Sequence, residues 1–468
     1  MCVGASLFML SACAVGPDYN APQLTLPSQF TNSDAQVFSA NQVETTWWRQ
    51  FNDAMLSNLV KQTLQHNNTL HIAQANLLQA RALYMNSALN FLPQITSHTN
   101  FTEQKRSVGA LNNRAFVPRE LSLYNAGFDA FWELDVFGRV RRATQASHHD
   151  VEAITASLHE VSVSVIAEVA RNYLELRALQ QQTALLAQSI AHQEKIVALT
   201  QTQVNHGKGT QSDVQLRRAA LENERAAMPD LHAAIAQTIH RLSVLTGQLP
   251  DALTTSLQTP KALPNPPAHL LIGSPAALLK RRADIREAEH TLASATERIG
   301  VATADLFPRV TFIGSLSLES NTLKGLAAPG AESYSLGPKI SWAFLDLARV
   351  YARIEAADAL AQASLAQYHQ TVLNALEETE NALVNYRETR DKRALLARAL
   401  DENQHAHALT ERRYDVGTVD LLAVEESEWR VVQRQRELAQ TDALLMNALI
   451  AVYKALGGGW ENVPEQVN

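Results

Sequence analysis

The chain has 468 residues, a formal net charge of −7 and only 6% aromatic residues. Its Lys and Arg residues are scattered among Asp and Glu, so no concentrated basic face is available and we expect no binding of nucleic acid. Both cysteines, Cys2 and Cys13, lie in the first thirteen residues, which excludes a disulfide framework. Since no apolar run reaches the roughly 20 residues of a membrane-spanning helix, a crossing of a bilayer would have to use strands.

The first 46 residues are predicted to be a targeting segment followed by an extended arm. Residues 1–12 are predicted to be a signal peptide, and their lack of Lys and Arg leaves open a truncated start. The stretch Leu10-Ser11-Ala12-Cys13 resembles a bacterial lipobox, which implies cleavage before Cys13, transfer of a diacylglycerol to its thiol and delivery to the outer membrane. The alternative is a short apolar tail with an incidental cysteine. Residues 13–46 then form a lipid-anchored extended arm.

The rest of the chain repeats itself, so residues 47–250 and 275–460 are predicted to be two copies of one structural unit. The recurring segments are Leu92-Pro93 with Phe307-Pro308 (spacing 215), Trp132 with Trp342 (spacing 210) and Gly209-Thr210 with Gly417-Thr418 (spacing 208). Each copy is predicted to run helix, two strands, very long helix, turn, very long helix. Residues 251–274, rich in proline, are predicted to be an irregular crossing segment, and residues 461–468 a tail.

Two helices are predicted before the strands of the first copy. Residues 47–64 and 70–89 carry apolar side chains at steps of three and four, which is typical of an amphipathic helix. Pro93 is expected to stop the second helix.

Four strands are predicted from the alternation of apolar and polar residues. The alternation is strong over residues 126–136, 310–318 and 334–344 and weaker over residues 95–101. Strands of about 10 residues with one apolar and one polar face match the pattern of a transmembrane β-barrel. The alternative is a soluble antiparallel sheet with one face on a core.

A long helix is predicted after each strand pair. Residues 140–205 contain neither proline nor glycine, and the heptad steps of Ile166 to Leu176 recur between Leu365 and Tyr386. At about 1.5 Å per residue, such a helix would be about 100 Å long. The turn glycines are predicted to end the long helices, and residues 213–245 and 420–456 to return as second helices. The glycines are Gly207, Gly209 and Gly417.

These segments together resemble the TolC-like outer membrane efflux factors, in the lipoprotein branch that serves resistance-nodulation-division pumps. The segments that carry the resemblance are Gly16-Pro17-Asp18-Tyr19, Trp47-Trp48 to Asp53, Trp132 to Arg139, Leu278 to Ile285 and Tyr414-x-x-Gly417. The family usually has Arg-Pro-Asp where this chain has Arg282-Ala283-Asp284. The resemblance implies a mainly helical chain that forms a homotrimer in the cell outer membrane, with a twelve-stranded shared β-barrel and a periplasmic tunnel of coiled-coil hairpins.

The resemblance also implies a periplasmic gate at the two hairpin turns. Tyr414 and Asp213 match positions that tie neighbouring hairpins in the closed state of the family. Asp420 matches a position that faces the pore axis, and Val419 adds an apolar constriction. The family Arg that makes a second tie is absent, since Thr418 follows the glycine. From the residues alone, Asp213 could equally be a helix N-cap, and Asp420 a cap or a solvated charge.

No catalytic, cofactor or metal site is predicted, and an enzyme is the remotest reading. The pairs His148-His149 and His405-x-His407 point in different directions on a helix, so they do not converge on a metal ion. Glu425, Glu426 and Glu428 are interpreted as a solvated charge run.

The predicted function is therefore the outer membrane channel of a tripartite efflux pump. It would be a passive exit duct for small toxic compounds and drugs, driven by an inner membrane pump and joined to it by a periplasmic adaptor. The alternatives are the exit duct of a type I protein secretion system and a lipid-tethered coiled-coil scaffold. The sequence does not name the exported substrates.

Overall fold

The computed structural model describes residues 14–34, 37–39, 41, 44–107, 109, 119–267 and 269–462. Cys13, the predicted lipidation site, lies outside the described residues, and its lipidation stays a prediction. The helices and strands, in chain order, are β1 Phe38–Ser39, α1 Ala54–His66, α2 Asn68–Leu89, β2 Gln94–Lys105, β3 Glu120–Leu134, α3 Arg139–Asn205, α4 Gln211–Leu245, α5 Thr254–Leu257, β4 Leu270–Leu271, α6 Pro275–Arg281, α7 Ala283–Ala304, β5 Arg309–Ser320, β6 Glu332–Ser341, α8 Leu347–Asp415 and α9 Leu421–Ala455.

The chain divides into two compact units, and each contains parts of both predicted copies. The strand unit comprises the described residues of Met1–Gln23, Leu77–Ile154 and Ala288–His369. The hairpin unit comprises the described residues of Leu24–Asn76, Thr155–Glu287 and Gln370–Asn468. A repeat in the sequence is therefore not a separate folding unit, because each copy places its strands in one unit and its hairpin turn in the other.

The internal duplication extends to single hydrogen bonds. Helices α2 and α7 both have 22 residues, strands β2 and β5 both have 12, and each pair begins 215 residues apart. Trp132 Nε1 donates to the carbonyl of Phe91 at 2.9 Å, and Trp342 Nε1 donates to the carbonyl of Leu306 at the same distance. In both copies the same contact thus joins the end of the second strand to the short segment that follows the preceding helix.

The four long strands form one antiparallel sheet in the order β2-β3-β5-β6. The two predicted strand pairs therefore join through β3 and β5, and β2 and β6 are the edges. The predicted limits need correction. Strand β2 extends beyond both ends of the predicted residues 95–101. Strand β3 begins at residue 120 rather than 126 and ends at 134 rather than 136, and β6 spans residues 332–341 rather than 334–344. Glu103, Gln104 and Lys105 pair with Ser122, Leu121 and Glu120 of β3, so the backbone ladder continues beyond the alternation of apolar and polar side chains.

The two faces of the sheet differ sharply in polarity. One face carries large apolar side chains that are exposed in this single chain: Phe128 is 58% exposed, Leu316 59%, Tyr334 81% and Leu336 71%. On the opposite face a row of polar residues crosses the strands, namely Thr96, Asp129, Ser315 and Ser335. A water-soluble sheet would bury the apolar face, so this arrangement indicates an apolar surrounding or a partner.

The predicted heptad seams are buried. Ile166, Val169, Tyr173 and Leu176 are essentially inaccessible in α3, and the matching positions of α8 from Tyr368 to Tyr386 are buried as well. One stretch of α3 is apolar enough to cross a membrane by composition, with a mean hydropathy of 1.3. Since 61% of that stretch is buried inside the protein, it has the surroundings of a core helix.

The predicted helix over residues 47–64 is interrupted. Trp47–Phe51 forms a short 3-10 helix, and Asn52 follows in the left-handed region with φ 51°. Asp53 then caps α1 by accepting hydrogen bonds from the amides of Met55 and Leu56. The periodicity missed this break because Asp is a strong N-cap residue that starts a new helix without disturbing the apolar pattern.

Several segments that carry the family resemblance stabilise the hairpin unit. Trp47 is fully buried, stacks on Tyr453 with ring centroids 4.9 Å apart, and donates from Nε1 to the carbonyl of Gly458 at 3.3 Å. Buried Arg282 donates to both carboxylate oxygens of Asp284 at 3.0 and 2.8 Å. Trp47 and Arg282 therefore stabilise the packing of the hairpin unit, and the two hairpin turns are the better candidate for function.

Candidate functional site: the hairpin turns

The first hairpin turn has a Schellman motif built around Gly207. The amide of Gly207 donates to the carbonyl of Val204 at 2.9 Å, and the amide of Lys208 donates to the carbonyl of Gln203 at 2.8 Å. This pattern requires a residue in the left-handed region, and Gly207 supplies it with φ 76°. The next glycine, Gly209, has φ 115° and leads directly into the N-cap of α4.

The second turn repeats the motif around Gly417. Its amide donates to the carbonyl of Tyr414 at 2.8 Å, and the amide of Thr418 donates to the carbonyl of Arg413 at 2.8 Å. Gly417, with φ 74°, is therefore the counterpart of Gly207. The predicted pairing of Gly209-Thr210 with Gly417-Thr418 at a spacing of 208 is wrong, since the equivalent glycines are 210 residues apart. The two Gly-Thr pairs match in sequence, but Gly209 and Gly417 do not occupy equivalent positions after the long helices.

Asp213 belongs to a capping box. Thr210 is the N-cap of α4, and Asp213 Oδ2 accepts hydrogen bonds from the amide and the hydroxyl of Thr210, both at 2.8 Å. The reading of Asp213 as the N-cap itself is therefore wrong, because Asp213 is the third residue of the helix. The backbone and side-chain hydrogen bonds from Thr210 hold the pKa of Asp213 below its ordinary value.

Asp420 is the N-cap of α9. Its Oδ1 accepts from the amide of Ala423 at 3.0 Å, and its Oδ2 accepts from Gln203 Nε2 at 2.7 Å. The interpretation of Asp420 as a cap is confirmed. Gln203 lies on α3, so this second bond connects the end of the first hairpin to the start of the last helix. Neighbouring Val419 is half-buried.

Tyr414 is 41% exposed in this single chain. Among the described residues, no hydrogen bond joins the Tyr414 hydroxyl to Asp213 within one chain. The predicted tie would have to form between neighbouring chains, and it stays a prediction.

A polar cluster between α3 and α9 contradicts the interpretation of Glu425, Glu426 and Glu428 as a solvated charge run. Glu425 is only 8% exposed. Its Oε2 lies 3.0 Å from His192 Nδ1, and its Oε1 accepts from Lys195 Nζ at 3.2 Å. Glu428 Oε2 lies 3.6 Å from the same His192 nitrogen. Glu426 forms an ion pair with Arg217 of α4. The three acids are therefore engaged by side chains of the first hairpin.

A second polar network fixes the same helices against each other. Trp429 Nε1 donates to Ser189 Oγ at 3.1 Å and to Glu224 Oε1 at 3.2 Å. Gln433 Nε2 donates to the same two atoms at 2.8 and 2.9 Å. Because Ser189 lies on α3 and Glu224 on α4, these bonds set the position of α9 beside both helices.

Sequence reasoning missed both networks because their partners are more than 200 residues apart. The Glu-x-x-Glu spacing of Glu425 and Glu428 does place the two acids on one helix face, and this was the available signal. The identity of the facing residue, His192, becomes clear only when the two hairpins are placed side by side.

Comparison with known proteins agrees with this architecture. The outer membrane efflux protein family model matches residues 59–248 and 275–458. "Nodulation protein T" of Rhizobium leguminosarum bv. trifolii is 31% identical over 97% of this chain and 96% of that protein. "Probable efflux pump outer membrane protein SepC" of Pseudomonas putida strain F1 is 26% identical over 98% of this chain and 96% of that protein.

Among solved structures, the outer-membrane channel OprN has a TM-score of 0.87 and 36% sequence identity, covering 96% of this chain and 100% of that chain. The predicted resemblance is confirmed, as are the location in the outer membrane and the role as an efflux channel. The two segments matched by the family model are the same two copies that repeat within the chain, and the chain belongs to the outer membrane efflux protein family.

Proposed function

We propose that this chain forms, as a homotrimer, the outer membrane duct of a tripartite efflux pump. A periplasmic adaptor and an inner membrane pump would deliver small toxic compounds to it. The observation that carries this proposal is the four-stranded sheet, which has an exposed apolar face, a polar opposite face and two edge strands without a partner in the described chain.

The sheet edges support assembly from several chains. Within a lipid bilayer, an open strand edge leaves amide and carbonyl groups without water or a partner, at a cost of several kcal/mol per group. Four strands cannot close a barrel by themselves. Three chains would give about twelve strands and a lumen wide enough for solutes. Two chains would give about eight strands, and side chains would fill the interior of such a barrel.

Two tryptophans support a membrane boundary at one end of the sheet. Trp132 and Trp342 are 36% and 51% exposed, and each indole N–H donates to a backbone carbonyl two residues after the end of a helix. Tryptophan with an apolar ring and a satisfied N–H is enriched at the interface between a bilayer and water. The equivalent positions in the two copies would give each protomer two such anchors.

The hairpin turns are the proposed gate. The Tyr414 hydroxyl of one chain would donate to Asp213 Oδ1 of its neighbour, since the capping box uses the other oxygen, Oδ2. Three Asp420 carboxylates would surround the pore axis, with Val419 narrowing the opening. Gly207, Gly209 and Gly417 allow the tight turns on which these side chains are placed.

The alternatives differ in what the exposed surface predicts. A lipid-tethered coiled-coil scaffold would hold the sheet in water, where an exposed apolar face is unfavourable. The exposed face therefore argues against the scaffold. The exit duct of a type I secretion system would use the same sheet and hairpins and differs only in its cargo.

Deleting the gene in the native host would distinguish the duct of an efflux pump from the duct of a secretion system. Cells lacking the gene should retain more ethidium and become more susceptible to antibiotics, and a plasmid copy should reverse both effects. Unchanged ethidium retention together with the loss of a secreted protein from the medium would establish the secretion duct instead.

A further inference from the structure

The cluster formed by His192, Glu425 and Glu428 has the composition of a metal site. One imidazole nitrogen and two carboxylate oxygens, one from each acid, lie within 4.8 Å of one another. Imidazole and carboxylate together suit Zn²⁺ and its neighbours Co²⁺ and Ni²⁺.

The separations between the ligand atoms fit a shared ion. Bonds of about 2.0–2.1 Å at tetrahedral angles place two ligand atoms about 3.4 Å apart. His192 Nδ1 lies 3.0 Å from Glu425 Oε2 and 3.6 Å from Glu428 Oε2. These two distances bracket the expected value, and the oxygens of the two acids lie within 4.8 Å of each other, so a rotation of the more exposed Glu428 side chain would bring the three atoms around one ion.

The surroundings keep the ligands in place. The side chains of His192 and Glu425 are 13% and 10% exposed, while that of Glu428 is 41% exposed and gives an ion a route from solvent. The bonds of Trp429 and Gln433 to Ser189 hold α9 against α3 just beside the cluster. The site is therefore preorganised on two helices and is not carried by a loop.

Lys195 occupies a different oxygen from the one that an ion would use. Its Nζ lies 3.2 Å from Glu425 Oε1, whereas Oε2 faces His192. Lys195 thus orients the carboxylate from outside, and two carboxylates with one ammonium leave a net charge of about −1 for a divalent cation to neutralise.

We propose that His192, Glu425 and Glu428 form a site for a divalent cation of the zinc class that links α3 to α9 within one protomer. Water or a further ligand would complete the coordination. Because α3 belongs to the first hairpin and α9 to the second, the ion would cross-link the two hairpins of the chain.

The test is zinc titration of the full trimer in detergent, without a histidine tag, followed by calorimetry and by the visible absorption of bound Co²⁺. Wild type should bind one ion per chain. Glu428→Gln and His192→Gln should each weaken binding at least about tenfold, since even changes to residues behind the ligands cost about 10–100-fold. Glu426→Gln is the matched control, because Glu426 lies between the two acids but pairs with Arg217.

Lys195→Met provides a second, independent arm. Removing this ammonium from the edge of the site should tighten Zn²⁺ binding several-fold while leaving the ligands in place. Absence of binding by the wild type at millimolar Zn²⁺ would overturn the proposal. So would an affinity that neither His192→Gln nor Glu428→Gln changes, because the bound ion would then lie elsewhere.

Discussion

Asp213 has one observed role and one proposed role at the first hairpin turn. Its carboxylate completes the capping box with Thr210, and we propose that it also accepts a hydrogen bond from Tyr414 of a neighbouring chain. Replacing Asp213 alone would alter both roles. Tyr414 has no part in the cap through its side chain, so its hydroxyl is the cleaner target.

Tyr414→Phe should raise the resting conductance of the channel in planar bilayers, and adding Asp213→Ala should raise it little further. A hydrogen bond to an ionised group contributes about 1.5–3 kcal/mol, and threefold symmetry would repeat it at three places. Thr210→Ala is the control, because it removes the N-cap side chain and keeps the Asp213 carboxylate. The loss of the cap should lower the stability of the helix by about 0.5–2 kcal/mol. Wild-type conductance in Tyr414→Phe would exclude the tie.

The same pair predicts how the closed state depends on pH. The pKa of Asp213 is lowered by the bonds from Thr210, so its ionised form is favoured above the ordinary value of about 3.9 and is lost only as the pH falls through the lowered value. The effect of Tyr414→Phe on conductance should therefore be equally large across the mildly acidic to neutral range.

Asp420→Asn tests the proposed ring of charge without loss of the cap, because Asn is as good an N-cap as Asp. Three carboxylates around an axis attract cations, so the variant should be less cation-selective and less readily blocked by multivalent cations added on the periplasmic side. The measurement is the reversal potential in a salt gradient. An unchanged reversal potential would place Asp420 away from the axis.

At the scale of single residues, the gate assignment stays a prediction from family resemblance, while the local chemistry of the turns was predicted correctly for Asp420 and wrongly for Asp213. The predicted register of the turns was wrong because Gly209-Thr210 and Gly417-Thr418 share the same residue types, while the glycines that end the long helices in the Schellman motif are Gly207 and Gly417. The burial of Glu425 was missed because its partners lie on another hairpin. A single sequence shows neither the sign of the φ angle at a glycine nor which side chains on distant helices are in contact.

At the scale of elements, periodicity was a good guide because it records burial directly. The heptad seams and the four strands were found, and the interior of each element followed its pattern. Ends were less predictable. The break before α1 depends on the cap at Asp53, and the extra length of β2 and β3 depends on backbone pairing that continues where the side chains of β2 are all polar.

The two faces of β6 allow a matched test of the membrane-facing surface. Leu336→Arg should reduce folded, membrane-inserted protein, since Arg on the lipid face near the bilayer midplane costs about 2–4 kcal/mol. Ser335→Arg places the same side chain one residue away on the polar face and should be tolerated. The measurement is urea unfolding in lipid vesicles, with the yield of inserted protein as a second readout. Equal tolerance of both changes would contradict the assigned faces.

At the scale of the whole molecule, the closure of the sheet is the step that no single chain can provide. The order β2-β3-β5-β6 leaves β2 and β6 as edges, and the described chain has no further long strand to cover them. Head-to-tail pairing of β6 from one chain with β2 of the next would satisfy both edges and close into a ring. The number of long strands could be predicted from the sequence, but their order in the sheet could not, because alternation does not specify which strands are neighbours.

Cysteine cross-linking of the two edge strands tests this closure most directly. One cysteine would be placed on the polar face of β2, at Thr96 or His98, and one on the polar face of β6, at Ser333 or Ser335. Oxidation of the inserted protein should give covalent dimers and trimers and nothing larger, while each single-cysteine variant should give no trimer. Cross-linking confined to single chains, or a ladder extending beyond the trimer, would contradict a duct shared by three chains.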